Sequence, residues 1–129
     1  MPTLIATVLA AVLLLLLPAV GHTQQYPTKP IRWVLPFGPG SATDTISRII
    51  AQDVSQAIGQ PIVAIHKPGA DGSIAVVEVK RSAPDGYTFL FGTNSPFSVV
   101  PNMRKEPPYD TMADFTPVTY LGDTPFVIV

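Results

Sequence analysis

The chain has 129 residues, enough for one small domain. Its 8 basic and 9 acidic residues leave a net charge of −1 with no basic block, which argues against a nucleic-acid partner. There is no cysteine, so disulfides, thiol catalysis and Cys-ligated metals are excluded.

Residues 1–21 differ in composition from the rest. Leu4 to Val20 is apolar apart from Thr7, Leu13 to Leu17 is unbroken, and no Lys, Arg, Asp or Glu precedes Lys29. Pro18 breaks the run, and Ala19 and Gly21 supply small residues at the spacing of a cleavage site. A secretory signal peptide over 1–21 is expected, cut after Gly21. The alternative is an uncleaved membrane anchor, although the run falls short of the about 20 apolar residues that a span requires.

After a polar lead-in, Ile31 to Leu35 reads as a buried strand that Pro36 ends. A loop of Pro, Gly and Ser follows. Ser41 and Asp44 have the S-x-x-D spacing of a helix start, with Thr43 as a competing cap. Ile46, Ile49, Ile50, Val54, Ala57 and Ile58 recur at helical period and predict one apolar face. Gly59 and Pro61 end the helix. Pro61 to Ile65 predicts a second strand, and His66 to Gly72 a loop. Ser73 is placed to cap a second helix reaching about Ser82. Ala83-Pro84-Asp85-Gly86 is a turn, and Thr88 to Phe91 a third strand. Gly92 to Pro96 is a further strand-to-helix loop, with a short helical segment from Phe97 to Val100. Pro117 to Leu121 and Phe126 to Val129 read as strands. The chain stops inside that last apolar run, which suggests an interrupted domain.

The order is β-α-β-α-β, with right-handed crossovers expected. The strands are solid apolar runs, as in a sheet covered on both faces. The fold class is therefore α/β, an open and mainly parallel sheet. Ligands of such sheets bind beyond the carboxyl ends of the strands. The loops at Pro36 to Thr43 and Gly92 to Pro96 both follow strand carboxyl ends. The first also meets a helix start, where unpaired N–H groups and the positive end of the helix dipole favour an anion. Taken alone, this is equally the description of an ordinary βα connection.

Several ordered motifs resemble one family. They are Tyr26-Pro27-Thr28-Lys29-Pro30-Ile31-Arg32, Pro36-Phe37-Gly38-Pro39-Gly40-Ser41-Ala42-Thr43-Asp44, Gly59-Gln60-Pro61 and Lys67-Pro68-Gly69-Ala70. Ala83-Pro84-Asp85-Gly86-Tyr87-Thr88 is the most distinctive, and Tyr109-Asp110 and Asp114-Phe115-Thr116-Pro117-Val118 complete the series. Together they resemble the Bug-type periplasmic solute-binding receptors of tripartite tricarboxylate transporters. Ser41 stands where that family usually has a second glycine, and Asp71 where glycine is common.

The resemblance implies a two-lobed receptor that closes on a small organic carboxylate by hinge motion, located in the periplasm and serving membrane transporter subunits. It implies ligand contacts from Phe37, Gly40, Ser41, Ala42 and Thr43, and from Thr93, Asn94 and Ser95. Asp44 is expected to brace the loop rather than meet an anion of like charge. Family members are roughly twice this length or more. Residues 22–129 are thus expected to form an incomplete first lobe of the periplasmic-binding-protein type, with the second lobe missing. Such a truncated form is expected to bind weakly or not at all unless another chain completes the cleft.

Other chemistry finds little footing. His22 and His66 have no partner at metal-ligand spacing and read as solvated, so no metal or other cofactor is expected. No serine sits in a G-x-S-x-G context and no phosphate-loop motif occurs. Asp44, Asp53 and Glu78 show no evident pairing in the sequence. The chain is not expected to be an enzyme. The rival reading is a ligand-free remnant or interaction protein whose open sheet edge needs a partner chain.

Overall fold

The computed structural model describes residues 25–123. The expected leader, His22 and the expected strand Phe126 to Val129 lie outside them. Three parallel strands form one sheet in the order β2-β1-β3: β1 (Ile31–Leu35), β2 (Ile62–His66) and β3 (Thr88–Leu90). β1 is central, with Ile31 opposite Ile62, Leu35 opposite His66, and Val34 opposite Leu90. Helix α1 (Ala42–Ile58) links β1 to β2, and α2 (Ser73–Lys80) links β2 to β3. After β3 a π-helical turn (Ser95–Val99) continues as α3 (Val100–Met103). The α/β class, the parallel sheet and the βαβαβ order are those read from the sequence.

Central β1 carries the core because it is covered on both sides. Val34 and Leu35 are fully buried, and each such side chain contributes about 1.5–3 kcal/mol of transfer free energy. Val76 of α2, Val100 of α3 and Tyr109 form a second cluster, with Val77, Leu90 and Phe115 packed against it. The Tyr109 hydroxyl donates to Pro96 O at 2.6 Å, and Thr111 Oγ1 to Phe97 O at 3.1 Å. Lys80 reaches Asp114 at 2.6 Å. The 109–115 segment thereby buttresses the turn that follows β3.

At the opposite, entry edge of the sheet the first motif of the series meets the motif at residues 83–88. Tyr26 OH donates to Gly86 O, and Tyr26 packs edge-on against Tyr87 at 5.1 Å. Thr28 N–H donates to Tyr87 OH at 2.9 Å, and Lys29 pairs with Asp85 at 3.2 Å. Arg32 N–H donates to Tyr87 O at 2.8 Å. The most distinctive motif in the chain is therefore a clamp on the lead-in segment.

Four details differ from the sequence reading. First, α1 is rotated about its axis. Asp44 and Ser47 are buried, while Ile46 and Ile49 are 43% and 62% exposed and Ala57 is also exposed. Asp44, Ser47, Ala51, Val54 and Ile58 form the inward stripe because Asp44 and Ser55 bond to β2, through His66 Nε2 at 2.8 Å and the Ile62 N–H at 3.1 Å. Second, Ser73 opens α2 rather than capping it. The cap is Gly72, whose φ of 89° suits glycine. Third, the helix after β3 starts two residues early, at Ser95, because Asn94 is already helical at φ −58° and ψ −40°. Fourth, Pro117 to Leu121 forms no strand. Among the described residues nothing lies beside it to accept a ladder, and Val118 and Tyr120 are each 72% exposed.

Candidate functional site

Parallel strands deliver their following loops to one edge, so residues 36–41, 67–72 and 91–94 all emerge together. The first loop leaves buried Pro36 and half-buried Phe37, then turns at Gly40, whose φ is 81°. Ser41 N–H donates to Gly38 O at 3.3 Å, and Ser41 caps the 17-residue α1 by accepting the Asp44 N–H at 3.2 Å. Thr43 is therefore not the cap. The reciprocal half of the expected capping box is displaced by one residue: Asp44 Oδ2 accepts from Gly40 N–H at 2.9 Å, not from Ser41.

Asp44 is 4% exposed and is fully engaged. Its Oδ1 receives Arg48 Nε at 2.9 Å and His66 Nε2 at 2.8 Å. The Gly40 N–H first, then Arg48 and His66, hold its carboxyl down to about 2 from the ordinary 3.8, against the opposing effect of burial. Asp44 is thus ionised at neutral pH, and the Arg48 guanidinium balances its charge. The sequence reading of His66 as a solvated bystander is corrected, since its side chain is only 15% exposed and pairs with this carboxylate. Asp44 and Glu78 are likewise not free solvated charges. Glu78 bridges Arg32 at 3.3 Å and Lys67 at 3.2 Å, tying α2 to β1 and to the second loop.

What the first loop leaves open is specific. The N–H groups of Ala42 and Thr43 have no partner among the described residues, and the Ser41 hydroxyl hydrogen is uncommitted. Gly40, by contrast, has already given its N–H to Asp44. The third loop presents exposed Asn94, half-buried Thr93 and half-buried Ser95. Among the described residues Thr93 Oγ1 is buried without a partner, and Ser95 Oγ donates to Asp71 O at 3.3 Å. Gly92 lies against the Phe97 ring: a Cβ there would meet it at 2.1 Å, so the ring would have to move.

The second loop was not among the sequence-read site residues, yet it is wedged between the other two. A Cβ on Gly72 would lie 2.9 Å from Pro36 and 3.1 Å from Pro96. Ala70 and Asp71 adopt positive φ of 48° and 55° to make this turn, and the Ser73 hydroxyl that follows it is buried with no partner among the described residues. The signal for it lay in the topology, because the shared-edge argument that paired the first and third loops applies equally to the second. A surface groove of about 540 Å³ runs along α2 and touches the loops only at Ala70. The loop edge itself is an open wall of donors.

Comparison with known proteins bears on this wall. Residues 46–129 match the tripartite tricarboxylate transporter family receptor. The chain is 40% identical over 120 residues to a UPF0065 protein of Bordetella bronchiseptica, covering 93% of this chain and 36% of that one. It is 38% identical over 105 residues to the protein BugT of Bordetella pertussis, covering 81% and 32%. Among solved structures, one described as a periplasmic transporter has a TM-score of 0.71 at 48% identity, over 73% of this chain and 32% of that one. Rhodopseudomonas palustris Rpa4515 with adipate gives 0.67 at 37% identity, over 72% and 31%. MatC from the same organism with bound malate gives 0.64 at 34%, over 72% and 32%. The chain spans about a third of the length of the relatives it matches. With the ordered motifs and the parallel lobe they build, these matches establish that the chain belongs to the tripartite tricarboxylate transporter receptor family.

Proposed function

We propose that this chain supplies the first-lobe wall of a periplasmic receptor that captures a small organic carboxylate for a tripartite tricarboxylate-type transporter. The observation that carries the reading is the start of α1. Two adjacent unpartnered N–H groups, at Ala42 and Thr43, stand at the positive end of a 17-residue helix. Ser41 and Thr43 add hydroxyl donors, and Asp44, the nearest negative charge, is balanced by Arg48. In this reading Gly40 acts through its turn rather than its N–H, Phe37 borders the ligand, and Thr93, Asn94 and Ser95 offer a second group of donors. Family relatives with bound adipate and malate support a carboxylate as the ligand class. Residues 1–21 act as the export signal and 22–129 form the lobe, with binding rather than catalysis as the task.

Isothermal titration of the chain with succinate, citrate, glutamate and nicotinate tests this. Weak heat with one of them, reduced in a Ser41→Ala/Thr43→Ala variant that keeps the backbone N–H groups, is the expected result. No heat with any, while a version extended by a second lobe binds, would deny the activity to this chain alone. One observation favours a second reading, an interaction protein that needs a partner chain: Ile46 and Ile49 are exposed side by side on α1. Size-exclusion chromatography separates the two readings, since a concentration-independent monomer contradicts the second.

A further inference from the structure

We infer that His66, at the end of β2, is a positioning residue for the anion-receiving start of α1, acting through Asp44 on the Gly40 amide. The inference rests on the carboxylate reading of this edge, but its geometry stands apart from it. Asp44 has three partners from three segments: Gly40 in the loop, Arg48 one turn along the same helix, and His66 on the neighbouring strand. Of these three, only His66 ties the helix start to the sheet. Arg48 moves with Asp44, and its side chain is 62% exposed. His66 is short, 15% exposed and set in backbone that pairs with β1, where Lys67 N–H donates to Leu35 O at 2.9 Å.

The division of the carboxylate matters. Arg48 and His66 share Oδ1, which leaves Oδ2 directed at Gly40. An ionised carboxylate only accepts hydrogen bonds, so His66 must donate from Nε2, and its neutral ring is the Nε2–H tautomer. With His66 in place the Asp44 side chain has one orientation. The turn at Gly40 is then pinned, and the Ala42 and Thr43 N–H groups that follow it are aimed. Without His66 the carboxylate can rotate with Arg48, and Gly40 loses a charged acceptor.

The test is amide hydrogen exchange by ¹⁵N NMR on the full chain, comparing wild type, His66→Leu and His66→Gln. The Gln carboxamide nitrogen can occupy the place of Nε2. His66→Leu is expected to speed exchange at Gly40 by about tenfold, as for loss of a charge-assisted bond. Ala75 and Val76 in α2 should be unchanged, and His66→Gln should restore Gly40. Equal acceleration at Ala75 and Val76, an unmoved Gly40, or failure of the Gln variant to restore protection would each overturn the inference. The imidazole ¹⁵N shifts of the wild type give a reading that needs no variant: a ring protonated at Nδ1 alone would also overturn it. Succinate added to the wild type tests the carboxylate reading separately, through shifts at the Ala42 and Thr43 amides. The Gly40 comparison needs no ligand, so the two ideas fail independently.

Discussion

Replacing Gly72 by Ala tests whether the three loops are held together by the wedge between them. Two costs arise there. The residue has φ of 89°, and a side chain in this left-handed region costs about 1–2 kcal/mol. The new methyl also lands 2.9 Å from Pro36 Cβ and 3.1 Å from Pro96 Cγ. Both neighbours are fully buried proline rings that cannot swing aside, and such overpacking adds about 1–3 kcal/mol. Gly59 is the internal control. Its φ is 69°, but nothing lies within 4 Å of an added Cβ, so Gly59→Ala meets the first cost alone. The sum is about 2–5 kcal/mol at Gly72 against about 1–2 kcal/mol at Gly59. With a urea slope of about 1–1.5 kcal/mol per molar for so small a chain, the midpoint should fall by about 1.3–5 M for Gly72→Ala and by about 0.7–2 M for Gly59→Ala. Urea unfolding followed by Trp33 fluorescence measures both. Equal shifts would mean that the second loop is not packed against Pro36 and Pro96, and the three-loop site would lose its basis.

Acid provides a second test. The Asp44 carboxyl is lowered from 3.8 to about 2, so its contribution is present above the unfolded value and is lost as pH falls through the folded one. Comparing urea midpoints at about pH 5 and about pH 2.5, wild type should lose more stability than Asp44→Asn; parallel losses would refute the bracing role. Tyr109→Phe leaves the Pro96 carbonyl without its buried donor and should cost about 1–2 kcal/mol in the same assay, while no cost would remove the buttress. Tyr87→Phe takes the acceptor from Thr28 N–H, so exchange at that amide should quicken several-fold while Ala75 stays protected. An unchanged Thr28 amide would show that the clamp is not formed in solution.

The strands and the first helix were legible because their signals are local. Pro36, Gly59 and Pro61 punctuate the chain, and solid apolar runs announce a doubly covered sheet. The rotation of α1 was not legible. Periodicity weighs Ile46 and Ile49 as core residues, whereas a charged bond from Asp44 to a strand 22 positions later decides which face turns inward. His66 was hidden for the same reason, since pairing across a parallel sheet has no sequence spacing. The distinctive run at residues 83–88 was legible as a motif, but its spelling did not say that it serves a clamp at the edge opposite the loops. The open donors at Ala42 and Thr43 were half legible: the cap at Ser41 could be read, but the capture of Gly40 by Asp44 could not.

The clamp at Tyr26 has a consequence for reach. It fastens the chain to the entry edge of the sheet, while the donor wall lies at the exit edge. Between Gly21 and Tyr26 the backbone can extend at most about 17 Å. The few residues between Tyr26 and the expected cleavage point after Gly21 are therefore too short a tether to run the length of β1 and reach the donor wall.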